Sequence, residues 1–424
     1  VILNDNKMSI SQNVGFVARY LTHLRTRVRY VRWKQRLTNI LSHIPLIGKP
    51  INTFAHETKK RVKRSLFAHT SFFENMGFYY MGPVDGHDLS DLTQAMLAAR
   101  SIGRPVLLHV ATVKGKGYPQ AEKSPDTYHG IGGFSPETGE PAPGGESFSS
   151  RFGELMCRLG EQDDRIVAIT AAMKKGTCLD GFSWRFPTRF FDVGIAEEHA
   201  VTFASGLSCG GLIPVFAVYS TFLQRSFDQL LNDTSIMDRH IVLAIDRAGI
   251  VPDDGETHQG LYDVAMLRDI PHTTVYAPAN FRELEIHLRQ AMYDTGGIAA
   301  VRYPKGGEHP LLAGYEPSYK SFDYQNGRTD ELLLIGYGRT FGDVLAVSRQ
   351  RQQNGRRTSL IKLDRIWPLD PEVEEVCMGY RTVLFFEEAA RSGGIGEYLG
   401  SRLLSRGFSG RYAVDAVDIL PGAC

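Results

Sequence analysis

Short apolar runs recur along the 424 residues, each rich in Val, Ile, Ala or Phe and each closed by a polar or glycine-bearing turn. They read as strands at 78–81 and 106–112, then at 165–170, 190–194, 213–219, 240–246, 273–278 and 299–303, and again at 332–337, 358–363, 383–387 and 412–419. Helical patterns separate most of them. The runs are continuous rather than alternating, which is the texture of strands buried on both faces in a parallel sheet covered by helices. A doubly wound α/β architecture with right-handed crossovers follows from that alternation. Two stretches break it. Residues 131–148 are rich in Gly, Pro and Ser, and residues 305–329 are polar with Gly and Pro. Both read as linkers. The expectation is three α/β domains at 1–140, 146–310 and 325–424, the first incomplete and the last cut short. Val1-Ile2-Leu3 has the character of a strand already under way, with no Met at its head, so a piece of a longer gene product is expected. In the first domain, the turn Gly82 to Asp88 leads into a helix built on Leu92, Met96 and Leu97, which Asp88 or Ser90 can cap.

Composition narrows the class. At 42% hydrophobic and 22% charged residues the chain is ordinary for a soluble globular protein, and its length exceeds what one core supports. A net charge of +1 argues against nucleic acid or membrane as a global partner. No apolar run approaches the ~20 residues that span a bilayer, and the start lacks a secretory signal. Five cysteines without a CxxC pair fit free thiols in a reducing cytoplasm rather than a disulfide frame or a zinc site. One local departure is the stretch from Arg19 to Arg64, where nearly every charge is positive and Tyr20, Tyr30 and Trp33 are interleaved. RNA or an anionic surface would suit such a stretch. A mobile, solvated excursion over about 18–66 is the plainer account.

Candidate chemistry centres on Phe190-Phe191-Asp192-Val193-Gly194-Ile195-Ala196-Glu197-Glu198-His199-Ala200. A strand ends here and a helix begins, the place where open α/β sheets present ligands. Acidic residues at 197 and 198 also suit a helix first turn for purely structural reasons. The functional reading gains from three other strand ends that carry Tyr, Arg, Asp and His: Tyr219 to Arg225, Asp246 to Gly249, and Asp254 to Gly260. Lys114-Gly115-Lys116-Gly117-Tyr118 lacks the full phosphate-loop pattern and is weak as a nucleotide signal. His87 reads as structural.

With the opening Val1 to Ser11, these segments resemble the 1-deoxy-D-xylulose-5-phosphate synthases, thiamine-diphosphate enzymes related to transketolase. The resemblance runs from the first residue to roughly residue 420. It implies a transketolase-like fold, thiamine diphosphate and Mg2+ as cofactors, pyruvate and D-glyceraldehyde 3-phosphate as substrates, and a cytoplasmic homodimer that binds neither nucleic acid nor membrane. It also implies family segments that are missing here, including the Gly-Asp-Gly element that opens the diphosphate motif. Asn6 matches the Asn that closes that motif and, with the backbone carbonyl of Met8, would ligate the metal; hard oxygen ligands suit magnesium.

By the same resemblance, Glu197 is the catalytic carboxyl that hydrogen-bonds the pyrimidine ring, a role that calls for burial. Ile195 props the cofactor, Phe222 stacks on the pyrimidine and Tyr118 lines the cofactor. His129, His258, Tyr219 and Asp254 match catalytic positions. Arg247, Arg302, Arg225 and Lys114 match substrate-binding positions, and arginine forks suit phosphate. Glu198 stands where many relatives carry Gln, and Val251-Pro252-Asp253-Asp254 departs from the usual Val-Gly-Ala-Asp. The chain taken alone is expected to bind thiamine diphosphate weakly or not at all. A transketolase-type ketol transferase, an inactive remnant and one subunit of a split enzyme remain the alternatives.

Overall fold

A computed structural model describes residues 1–6, 72–130, 132–140, 144–252, 254–317 and 319–418. The basic excursion at 18–66 and Met8, one of the expected metal ligands, lie outside the described residues. The chain divides into two compact units, residues 1–142 and 143–424.

In the first unit, β1 (Ile2–Asp5), β2 (Tyr79–Asp85) and β3 (Val106–Ala111) form a parallel sheet in the order β1-β3-β2. The central strand carries a polar core: His109 Nε2 lies 3.1 Å from Asp5 Oδ2 and its Nδ1 2.7 Å from the Tyr80 hydroxyl. The helix Leu89–Ser101 is capped by Asp88, whose Oδ1 accepts from the backbone of Ser90 and Asp91 at 3.0 Å. His87 Nε2 accepts the Val113 N–H at 2.8 Å, a loop tie that fits its structural reading.

The second unit holds two sheets. Strands β4 (Ile166–Thr170), β5 (Phe190–Asp192), β6 (Ile213–Tyr219), β7 (Ile241–Asp246), β8 (Thr273–Tyr276) and β9 (Ile298–Arg302) run parallel in the order β8-β9-β7-β6-β4-β5. Every residue of β4, β7 and β9 is buried, as their unbroken apolar sequences require. Two flanking helices start at side-chain caps. Ser147 and Ser150 form a reciprocal box on Phe148–Gln162, and Asn280 accepts the Glu283 N–H at 2.9 Å on Phe281–Tyr293. Phe148 and Phe152 pack on the Tyr303 ring beneath this sheet, with centroids 6.4 and 5.7 Å away.

Beyond it follow β10 (Phe322–Gln325), β11 (Leu332–Tyr337), β12 (Ser359–Leu363), β13 (Arg365–Trp367), β14 (Thr382–Ala390) and β15 (Arg411–Val417). Five of these form the second sheet, in the order β10-β12-β11-β14-β15. The sixth, β13, pairs antiparallel with β8 and completes the first sheet as its seventh strand.

Two features depart from the sequence reading. The supposed linker at 305–329 contains β10, an edge strand antiparallel to β12. β13 carries the chain back to the neighbouring sheet immediately after β12, so the boundary expected between 310 and 325 is bridged later in the sequence. A second tie is ionic and dry: Lys362 of β12 bonds Glu283 Oε1 at 2.6 Å and also Asp364 Oδ1, all three side chains being buried. With burial opposed by the two carboxylates, the lysine's pKa is held above its ordinary value.

Candidate active site

At the carboxyl ends of β4 and β5 the backbone is tied by Asp192, whose Oδ1 accepts from Ala172 N at 2.8 Å and Gly194 N at 3.0 Å. Gly194 takes φ 75°, a left-handed value that glycine adopts without a Cβ penalty, and the turn delivers the chain into the helix Glu197–Cys209. Glu197 is therefore the first helical residue. Its side chain is buried, at 2% exposure, while Ile195 in the turn stands 54% exposed.

Arg225, from the 3-10 turn Gln224–Ser226 beyond β6, points one Nη1 at both carboxylate oxygens of Glu197, at 2.9 and 3.0 Å. Its guanidinium carbon lies 5.1 Å from the Phe222 ring centroid. Phe222 stacks on Tyr219 at 5.9 Å and meets the His258 ring edge-on at 5.5 Å. The Arg247 guanidinium carbon lies 3.7 Å from the Tyr219 centroid, a cation–π contact. Burial pushes the Tyr219 phenol up to about 12, with Arg247 opposing. The phenol leans on Gly176, where a Cβ would sit 1.7 Å from the hydroxyl oxygen.

Arg247 itself adopts φ 58°, a strained value for a side-chain-bearing residue. Its Nη1 donates to Asp246 Oδ1 at 3.0 Å and to Gly176 O at 3.2 Å, and its Nε lies 3.7 Å from Asp254 Oδ2. Asp254 also receives Lys305 Nζ at 2.9 Å. Asp246, at the end of β7, is fully buried, and burial raises its carboxyl to about 6 against the pull of Arg247. His258 Nδ1 lies 3.0 Å from Thr257 Oγ1.

Seven expected site residues thus meet in one run of contacts: Glu197, Arg225, Phe222, Tyr219, Arg247, Asp254 and His258. Arg302 is placed differently. It is 6% exposed, its Nε and Nη2 bond Asp263 at 2.8 and 3.3 Å, and its Nη2 also reaches Glu388 O at 3.4 Å. Burial opposes its charge, but Asp263, Tyr337 and Glu388 hold its pKa above the ordinary value.

The remaining candidates belong to the first unit. Asn6 follows β1. Lys114 is partly buried and His129 is exposed: desolvation and the Lys114 charge both lower His129, and desolvation lowers Lys114 against the pull of Asp126. The Tyr118 hydroxyl donates to Pro136 O at 3.0 Å, and its ring meets Tyr128 edge-on at 5.6 Å.

Sequence reasoning left Asp246, Lys305, Gly176 and Asp263 without roles. Asp246 stands inside a quoted segment, next to Arg247, and Lys305 follows Arg302 by three residues. Nothing in the sequence marks Gly176 or Asp263, whose significance comes from the tertiary partners Tyr219 and Arg302.

Comparison with known proteins places these elements. Residues 1–112 match the family model described as 1-deoxy-D-xylulose-5-phosphate synthase, residues 147–307 the transketolase pyrimidine binding domain, and residues 324–414 the transketolase C-terminal domain. The chain is 43% identical over 407 residues to the 1-deoxy-D-xylulose-5-phosphate synthase of Clostridium kluyveri, covering 94% of this chain and 64% of that protein. It is 43% identical over 418 residues to that of Symbiobacterium thermophilum, covering 97% and 63% respectively. The chain belongs to the 1-deoxy-D-xylulose-5-phosphate synthase family.

The fold agrees: a solved split gene transketolase, described as an inactive beta4 tetramer, superposes with TM-score 0.58 at 23% identity, covering 66% of this chain and 90% of that one. Relative to 1-deoxy-D-xylulose-5-phosphate synthases from Clostridium kluyveri and Symbiobacterium thermophilum, the chain spans 64% and 63% of the length. All the site residues from Ile195 to Arg302 fall within the pyrimidine-binding match, whereas Lys114, Tyr118 and His129 lie beyond the end of the 1–112 match. Among the described residues no helix is long and apolar enough to cross a membrane, and no cluster of three or more His, Cys, Asp or Glu could hold a metal ion.

Proposed function

We propose that the protein carrying this chain condenses pyruvate with D-glyceraldehyde 3-phosphate to 1-deoxy-D-xylulose 5-phosphate and carbon dioxide, using thiamine diphosphate and Mg2+. The product is a precursor for isoprenoids. The observation that carries this reading is a buried carboxyl, Glu197, joined through Arg225 to an aromatic face, Phe222, at the carboxyl ends of parallel strands. The pyrimidine half of the cofactor fits these residues: the carboxyl suits a ring nitrogen, Phe222 suits a flat heterocycle, and exposed Ile195 offers an apolar prop. When bound, thiamine diphosphate supplies a nucleophilic carbon and an electron sink.

The chain's own residues would then divide the work. Glu197 would hydrogen-bond the heterocycle nitrogen from a position shielded from water. Tyr219, Asp254 and His258 form a polar wall for the reacting groups, and His129 is assigned the same kind of task from the first unit. Arg247, Arg225 and Lys114 attract substrate anions. Arg302, matched to a substrate-binding position, is held in place by Asp263. Tyr118 lines the cofactor, and Asn6 with the Met8 carbonyl would hold Mg2+. A cytoplasmic homodimer completes the reading.

The test is carbon dioxide release from pyruvate that depends on glyceraldehyde 3-phosphate, measured on this chain within its complete reading frame. Xylulose 5-phosphate used as donor in place of pyruvate would instead point to a transketolase-type ketol transfer. Turnover with neither donor would leave a remnant or one part of a split enzyme.

A further inference from the structure

Glu197 already has a tenant. One guanidinium nitrogen of Arg225 satisfies both of its oxygens, at 2.9 and 3.0 Å, and the carboxylate is buried at 2% exposure, with little water to turn to. The arginine differs: its side chain is 43% exposed and rests on the Phe222 face. The arginine is the partner that can move, because its head can go to water while its stem stays on the ring, and the incoming heterocycle must then compensate the carboxylate it leaves.

We infer that Arg225 is a positioning residue that masks Glu197, and that its guanidinium must swing off the carboxylate before Glu197 can meet a heterocycle nitrogen. This rests on the thiamine-diphosphate reading of the site. Ligand entry and Arg225 departure are one exchange, so the masked population lowers the apparent affinity in proportion to the open fraction. The departing guanidinium stays anchored near Phe222, where it is free for a substrate carboxylate or phosphate. Arg225 thus holds two posts in turn, and its service to the substrate begins when the heterocycle is seated.

The experiment is a calorimetric titration of this chain within its complete reading frame with thiamine, the probe for the pyrimidine half alone, on wild type, Arg225→Met, Arg225→Gln and Arg225→Lys, with circular dichroism to verify folding. Removing the mask is expected to tighten thiamine binding about tenfold, the effect of ~1.4 kcal/mol. Arg225→Lys, which can still pair with the carboxylate, should return the affinity toward wild type. Adding Glu197→Gln to Arg225→Met should abolish the gain. Equal or weaker binding by folded Met and Gln variants, with wild type binding measurably, overturns the masking role and leaves the proposed function standing. No binding by any folded variant overturns the pyrimidine site itself, and the mask with it.

Discussion

Replacing Asp246 by Asn isolates the electrostatics beneath the site. The aspartate is fully buried, and burial raises its carboxyl from an ordinary 3.8 to about 6 even with Arg247 drawing it down. Because the folded state holds the proton more tightly than the unfolded chain, stability from this group is greatest below pH 3.8. It falls as pH climbs toward about 6 and is flat beyond. At 1.36 kcal/mol per pH unit, the gap between 3.8 and about 6 amounts to about 3 kcal/mol. Asn has the same shape, keeps an oxygen for Arg247 Nη1 and carries no charge at any pH.

The difference in unfolding free energy between the Asn variant and wild type should therefore shift by about 2.4 kcal/mol, most of that total, in the variant's favour between pH 4 and pH 7. Urea unfolding of both proteins at several pH values, followed by far-ultraviolet circular dichroism, measures that difference, and every other titrating group cancels from it. Parallel pH profiles, or a wild type that gains on the variant as pH rises, would refute the argument.

Gly176→Ala would place a methyl 1.7 Å from the Tyr219 hydroxyl; a loss of ~1–3 kcal/mol is expected from the forced shift, and unchanged urea midpoints would contradict it. Lys362→Met would leave Glu283 and Asp364 buried without their cation. A cost of ~3–5 kcal/mol is expected, with stability recovering in part when both carboxylates are also made apolar, and a silent single variant counts against the cluster as a fastening. Glu197→Ala, within the complete reading frame, should lower turnover of pyruvate with glyceraldehyde 3-phosphate by ~10²–10⁴-fold. Undiminished product formation removes Glu197 from the mechanism.

What is legible in the sequence is what local chemistry dictates. β4, β7 and β9 read directly because strands covered on both faces must be apolar throughout. Asp88 as a cap follows from its place before a helical pattern. β10 is missed although Phe322-Asp323-Tyr324-Gln325 alternates apolar and polar, since four residues between glycines and prolines look like loop. β13 is shorter still, three residues ending at Pro368, and its partner β8 lies far back in the chain. At the site, the sequence places Glu197 at a strand-helix junction but says nothing of Arg225 lying across it. A long side chain can reach several partners, and only the packing of Phe222 beneath it selects one.

The second sheet also reaches into the site. Glu388, in β14, accepts the Ile250 N–H at 2.9 Å and pairs with Arg339, whose Nε lies 2.8 Å from Glu388 Oε2. Arg339 in turn donates to Ile250 O at 2.8 Å and to Lys305 O at 3.4 Å. This strap holds the backbone at Ile250, between Arg247 and Asp254, and at Lys305, and Gly249 passes so close that a Cβ there would meet the Glu388 carboxyl at 2.7 Å. Loops that carry chemistry need a rigid support, and here part of that support comes from the neighbouring sheet. The two sheets of the second unit are therefore coupled at the place where ligands would bind. A change at Arg339 or Glu388 would be felt at Arg247 and Asp254 through the backbone of Ile250, without either residue touching substrate.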